Sequence, residues 1–175
     1  MPRPREFTAK TGRNFVERDQ NMSIRQAHEG DVAAVVRLIN AAFQVERFFL
    51  AADRIDAAEV RSRMERGIFL LLEDSGVPLG CVYTELRGER GYIGLLSVEP
   101  QRQKSGLSRL LMIAAEEYFR EHGCRVAELR VVNLRTELPP YYRHLGYRET
   151  CTEPFPLDIP AILPCHFIVM TKELL

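Results

Sequence analysis

The chain has 175 residues and a mass of 20.1 kDa, enough for one domain whose core needs neither disulfides nor metal to hold it. Hydrophobic residues at 46% against 27% charged exclude wholesale disorder, and 24 Lys and Arg balance 24 Asp and Glu, which excludes a net basic field for nucleic acid or an acidic membrane. No apolar run approaches the ~18 residues of a spanning helix, and Met1–Gln20 lacks the apolar stretch of a secretory signal, so the expected location is the cytoplasm.

Residues 1–21 carry two prolines and many charges, and read as a flexible extension or as a segment that orders only against a partner. Met22 is an alternative start, and residues 22–175 form a single domain. Ser23–Ala27 is a short strand candidate. Asp31 follows as the expected N-cap of a helix whose apolar face is Val32, Val35, Val36, Ile39, Ala42 and Phe43. After a polar and aromatic stretch comes a second helix, Ala57–Arg66, closed by Gly67.

Three strands then follow in succession. Ile68–Leu72 is a continuous apolar run, the mark of a buried strand. Asp74-Ser75-Gly76 turns it into Val77–Leu86, and Arg87-Gly88-Glu89 turns again into Tyr92–Val98. Beyond Pro100, Leu107, Leu110, Leu111, Ala114, Ala115 and Tyr118 recur at helical spacing up to Gly123. Val126–Val132 is a strand, Leu138–Leu145 a short helix and Tyr147–Thr150 a brief strand. A proline-rich loop, Pro154–Pro164, leads to a last strand, His166–Thr171. Hairpins join three strands before any crossover, so the order predicts an α/β protein of the α+β type, with a mixed sheet and helices on both faces.

The four cysteines, Cys81, Cys124, Cys151 and Cys165, show no CxxC spacing and read as reduced, mostly buried thiols. His28, His122, His144 and His166 show no metal spacing either, so no metal is expected. Cys165 and His166 are neighbours on a strand and point to opposite faces, which argues against a thiol nucleophile pair.

Chemistry concentrates in Leu95–Ser108, where a buried strand runs through a loop into the start of the long helix. A helix start presents unpaired N–H groups and a partial positive charge, a natural seat for phosphate. Gly106 lets backbone approach a ligand, Ser108 is small, and Arg102 and Lys104 add positive charge. The string fits neither the P-loop nor the dinucleotide fingerprint.

Val98, Pro100, Gln103, Gly106 and Ser108 match V-x-P-x-x-[QR]-x-x-G-x-[GA], except that Ser108 stands for the final Gly or Ala. Asn133, Tyr142, Gly146 and Tyr147 match N…Y-x-x-x-G-[FY], with a slightly long interval that contains Pro139-Pro140. With these two segments the chain, from about Ser23 to Leu175, resembles the GNAT superfamily of acyl-CoA-dependent N-acetyltransferases. The resemblance implies a mixed, mostly antiparallel sheet of six to seven strands with about four helices. It also implies direct transfer of an acetyl group from acetyl-CoA to an amine of a small molecule or peptide, through a tetrahedral intermediate. Homodimers are common in that family.

By the same resemblance, Ser97 and Val98 offer backbone to the pantetheine arm. Gln103, Lys104, Ser105, Gly106, Leu107 and Ser108 hold the pyrophosphate, with Asn133 as a further cofactor contact. A backbone N–H near Val98 polarises the thioester carbonyl, and Gly94 marks the bulge that splays the fourth and fifth strands. Tyr142 takes the role of general acid; donation from a phenol (pKa about 10) to a thiolate (about 8.5) is uphill by only about 2 kcal/mol.

For the base, Glu137 is the first choice, with Glu85, Glu99 and a water chain as alternatives. The acceptor pocket is expected between the loop Val45–Leu50 and the last hairpin. There Phe48 and Phe49, with Glu46 and Asp53, could hold a cationic amine, or Phe48 and Phe49 simply cap the core under a long loop. A non-catalytic acyl-CoA sensor on the same fold is the competing reading.

Overall fold

The apolar run at Ile68 is buried on both faces because helices cover both sides of the sheet. In the computed structural model, which describes residues 21–175, this run is β2 (Ile68–Asp74). Its Phe69 and Leu71 face one core, beneath α1 (Val32–Ala42) and α2 (Ala57–Arg66). Its Leu70 and Leu72 face the other, beneath α3 (Leu107–Glu121). Alternation within one strand thus feeds two cores.

The remaining strands are β1 (Met22–Gln26), β3 (Val77–Arg87), β4 (Arg90–Val98), β5 (Val126–Val132), β6 (Arg148–Pro154) and β7 (His166–Glu173), with α4 (Leu138–His144) between β5 and β6. They form one sheet in the order β1-β2-β3-β4-β5-β7-β6. Only β4 and β5 pair parallel. The expected mixed, mostly antiparallel sheet of six to seven strands with about four helices is present, with seven strands and four α-helices among the described residues. Of the expected N-terminal extension, residues 1–20 lie outside the described part, whereas the carbonyl of Asn21 accepts the Ser75 N–H at 3.0 Å.

Several local expectations need correction. Asp31 does not cap α1 with its side chain. Its carboxylate instead accepts the His28 N–H and both terminal nitrogens of Arg25, whose guanidinium also grips Glu73 of β2. Arg25 holds the Asp31 carboxyl below the usual carboxylate range, against the opposing pull of burial. Gly67 is extended rather than left-handed, so it does not end α2 in the manner expected. β6 runs well past Thr150 because it is an edge strand exposed along nearly its whole length, with no apolar pattern to mark its end. All four cysteines are free, but only Cys81 and Cys124 are buried, and Cys151 stands exposed on that edge.

A third, smaller core joins the two loops that flank the sheet opening. Phe49, Leu50 and Val132 pack with Phe155, Ile159 and Phe167. Leu50 forms a bridge to Ala161, and the Ile162 N–H donates to the Phe49 carbonyl at 2.8 Å. The loop after α1 and the loop between β6 and β7 are thereby zipped together.

The requirement at Gly67 is one of space. A Cβ there would stand 2.2 Å from the carbonyl oxygen of Thr84, a backbone atom in β3 that cannot swing aside. Gly67→Ala is therefore expected to cost about 2 kcal/mol, read as a lower midpoint in urea denaturation.

Candidate active site

The cleft begins with one extra residue. Tyr83 pairs with Gly94 and Cys81 with Ser97, so two steps along β3 face three along β4. The surplus is taken up at Leu95, whose φ is +53° although it is not glycine and its side chain is buried. A bulge of this kind bends and twists its strand. The parallel ladder of β4 with β5 runs only from Arg90↔Val126 to Ile93↔Leu129 and then stops, while β5 goes on pairing with β7 to Val132. The expected bulge is present, but it lies one residue beyond Gly94 and is carried by Leu95.

A cleft of about 840 Å³ opens from this split, lined by residues of β4, β5, α3, α4 and both flanking loops. The Glu99 N–H donates to Leu79 of β3, so by alternation along the strand the Val98 N–H points away from β3, toward the split. The Val98 carbonyl accepts from the Gln103 side-chain amide at 3.4 Å, which pins the loop against the end of β4.

The loop itself turns twice through left-handed backbone, at Lys104 (φ +63°) and Gly106 (φ +85°). Gly106 is the N-cap of α3, no side chain caps that helix, and a Cβ on Gly106 would have no atom within 4 Å. The first-turn amides of a 15-residue helix are therefore presented without an intrahelical partner, beside open space.

Of the residues expected to hold cofactor, Val98, Gln103, Lys104, Leu107 and Ser108 line the cleft. Ser108 shares a 2.7 Å hydrogen bond with the Tyr141 hydroxyl. Ser105 and Gly106 belong to the adjoining turn and do not line it. Ser97 is buried, with its hydroxyl donating to the Leu95 carbonyl, so only its backbone belongs to this region. Asn133 faces β7, where it extends the ladder: its Oδ1 accepts the His166 N–H at 2.8 Å, and its own N–H donates to the His166 carbonyl.

Tyr142 lies on α4 with its ring packed edge-on between Tyr141 and Tyr147. It lines the cleft, and its hydroxyl has no hydrogen-bond partner among the described residues. Burial, and next the neighbouring Tyr141, keep its pKa above that of an ordinary phenol. It remains protonated at neutral pH.

The carboxylates sort differently from expectation. Glu85 is turned to the Tyr83 hydroxyl and to Arg87, and Glu99 is paired with Arg37; neither lines the cleft. Glu137 does line it, at the N-cap of α4, but its side chain is largely exposed and bonded to Arg135 at 2.6 Å. Burial is the largest single influence and would raise its pKa, yet the Arg135 bond, its own backbone N–H and the Arg135 charge together outweigh it and leave it below the usual carboxylate range.

Arg135 turns its other end to Glu46, at 2.9 Å. Glu46 is buried, and burial, only partly offset by Arg135, pushes its pKa up. From the sequence, Glu46 stands with Asp53 as a possible partner of a cationic amine, not as a buried member of an ion pair. Its partner lies 89 positions away, and no local signal announces the pair.

The acceptor side also departs from expectation. Phe49 is wholly buried in the small core and Phe48 projects outward at 51% exposure, stacked edge-on to Phe49, so neither lines the cleft. Phe43, Leu50, Phe155 and Phe167 do. Asp53 is paired with Arg47. Cys165 is only half-buried, and burial together with the charge of Glu46 raises its thiol pKa, which disfavours the thiolate a nucleophile would need. Among the described residues, no three His, Cys, Asp or Glu side chains gather to hold a metal ion, and no helix is long and apolar enough to cross a membrane.

The Glu46–Arg135 pair gives a stability prediction with a definite sign. Arg135→Met leaves a buried carboxylate without its cation, at a cost of about 3 kcal/mol at neutral pH. The folded pKa of Glu46 then lies above its unfolded value. The penalty is full above that folded pKa and vanishes below about pH 4, where the carboxyl is neutral in both states. Denaturant titrations of wild type and R135M should therefore converge as the pH falls.

The chain matches the model of the Acetyltransferase (GNAT) family over residues 32–147. It is 28% identical over 151 residues to an uncharacterised N-acetyltransferase, YhfO, of Bacillus subtilis (strain 168), which covers 80% of this chain and 99% of that protein. Its fold is similar to that of the ribosomal-protein-S18-alanine N-acetyltransferase from Escherichia coli (TM-score 0.70, 17% identity, 87% of this chain and 94% of that one). It is also similar to yncA from Salmonella typhimurium, a structure solved with acetyl-CoA (TM-score 0.68, 20% identity, 89% and 95% coverage). Because the family match runs through the greater part of the chain, from α1 to the Gly146-Tyr147 pair after α4, the protein belongs to the GNAT acetyltransferase family and is an acetyl-CoA-dependent acyltransferase.

Proposed function

We propose that this protein transfers the acetyl group of acetyl-CoA directly to a primary amine of a small molecule or peptide. One observation carries the reading: the unpartnered hydroxyl of Tyr142 and the uncapped first turn of α3 belong to the same cleft, opened by the β4 bulge.

The residues present suit the donor. The open space at Gly106 and the free amides of Leu107 and Ser108 suit a diphosphate, and Lys104 adds a positive charge. The edge of β4 at Val98 offers a backbone N–H to an extended amide-bearing arm, in the manner of an added strand. When bound, acetyl-CoA supplies the acetyl thioester. The same Val98 N–H is our assignment for polarising its carbonyl.

Tyr142 is assigned as general acid. Its raised pKa keeps the proton in place until a thiolate departs, and its lack of any other acceptor among the described residues leaves that proton free to move. Ser108 and Tyr141 close the wall beside it. Glu137, exposed and held by Arg135, is better suited to fixing that guanidinium than to taking a proton. Asn133 and the side chain of Ser97 are assigned to the sheet rather than to the cofactor.

The acceptor enters between the zipped loops, past Phe43, Leu50 and Phe155. The E. coli neighbour is named for an alanine of ribosomal protein S18, an acceptor of the peptide kind. Four free thiols suit a reducing compartment, and we place the activity in the cytoplasm.

The test is CoA release from acetyl-CoA with a panel of alkyl amines, aralkyl amines and short peptides. Tyr142→Phe is expected to keep the fold and lower kcat by about 10²-fold or more; turnover indifferent to the change would remove Tyr142 from the mechanism. Binding of CoA without turnover of any amine would favour a sensor. Gly106→Val forces a β-branched residue into left-handed backbone beside the cofactor loop, at about 1–2 kcal/mol of strain. It should weaken CoA at least tenfold by calorimetry, with the melting temperature lowered by only about 2–8 °C.

A further inference from the structure

We propose that Glu46 is the catalytic base: its Oε2 seats the acceptor's ammonium group and takes its proton. The inference rests on the acetyl-transfer reading above and names, within that site, the group that activates the amine.

Glu46 ends the short 3₁₀ turn Phe43–Glu46 after α1, and its own carbonyl accepts the N–H groups of Phe49 (3.0 Å) and Leu50 (2.9 Å). Its backbone is thus fixed. Its side chain is only 7% exposed, and Oε1 is occupied by Arg135 at 2.9 Å. Oε2 has no hydrogen-bond partner among the described residues, yet no side-chain oxygen or nitrogen there is both sealed from water and unpartnered. Oε2 therefore keeps contact with solvent, and Glu46 lines the cleft as well as a small pocket beside it. The other carboxylates around the cleft, Asp53, Glu59, Glu137 and Asp158, are all far more exposed to water.

The surroundings suit a proton acceptor. Arg135 follows β5 and keeps Glu46 ionisable in an apolar site, while its charge also reaches Tyr142, so acid and base face the same guanidinium. Arg54 from the loop before α2 adds a second positive charge near Glu46, Glu137 from α4 adds a negative one, and the Cys165 thiol ahead of β7 faces it as well. Asp53 and Arg47 on the same loop neutralise each other. Burial is the strongest influence and places Glu46 above the solvated carboxylate range, nearer neutrality, where a base is more effective.

The protons balance. An ammonium gives up two protons in becoming an amide. The first passes to Glu46 Oε2, its N–H electron pair staying on nitrogen as the attacking lone pair, and Glu46 then releases it to water. The second, lost as the amide forms, restores the Tyr142 phenol after that phenol has protonated the departing thiolate. One proton reaches solvent per turnover.

The experiment compares wild type with Glu46→Gln, which keeps an oxygen for Arg135 but cannot accept a proton, on the same amine panel. Expected is a loss in kcat/KM of about 10²-fold or more at pH 7, with CoA affinity unchanged within twofold. The deficit should narrow as pH rises toward the amine's own pKa of about 10, where the neutral amine no longer needs a base. The limb that Glu46 sets in the wild-type profile should give way in E46Q to a rise that continues toward the amine's own pKa.

A variant within threefold of wild type at every pH, or one whose loss is the same at every pH and follows a lowered melting temperature, overturns the assignment and leaves acetyl transfer standing. Failure of the wild type to turn over any amine overturns both. Should E46Q not fold, Glu46→Asp decides: the retracted carboxylate is expected to lower kcat more than tenfold while keeping the acidic limb, and an unchanged kcat overturns the assignment.

Discussion

One residue too many in β4 is the constraint from which the site follows. A strand that pairs with β3 on one side and β5 on the other cannot keep both ladders in register after an insertion. The chain keeps the antiparallel ladder to β3 and gives up the parallel one to β5 beyond Ile93. The insertion holds Leu95 in backbone that only glycine adopts freely, and the burial of that leucine compensates for the strain. Without the split, the first turn of α3 and the Tyr142 hydroxyl would have no common cleft.

Around that split the molecule divides its tasks by element. On the proposed reading the donor side is mainly backbone: the edge of β4, the double left-handed turn and the start of α3, with the Gln103 amide pinning the loop and Lys104 adding charge. On the same reading the acceptor side is side chain, supplied by two loops fastened to each other through Phe49, Leu50 and Ile162 and through the Glu46–Arg135 pair. Loops can change without disturbing the sheet, so such an arrangement lets the side-chain wall vary independently of the backbone one.

The buried charges are distributed to match. Arg25 with Asp31 and Glu73 ties the chain's first strand and helix to the sheet, and Glu116 with Tyr147 and Lys172 ties α3 to β7. In both clusters the buried carboxylate oxygens are hydrogen-bonded within the protein. Glu46 differs in leaving one oxygen without a partner among the described residues, and that difference, rather than burial as such, sets it apart from the structural acids.

The sequence by itself determined the order of elements, the two-sided burial of β2, the end of α3 at Gly123 and the segment Val98–Ser108, because each rests on local periodicity or on a turn whose glycine has no substitute. It placed Tyr142 on the right helix by motif alone. Only the tertiary structure decided which acids reach the cleft. Nearness to Tyr142 along the chain favours Glu137, which does line the cleft, yet its side chain is largely exposed and held by Arg135. Glu46 and Arg135 meet across two loops, and charge pairing between distant segments leaves no period to read. The same holds for Phe49, which enters a core assembled from three separate stretches, and for the bulge, which shows only when β4 is laid against β3.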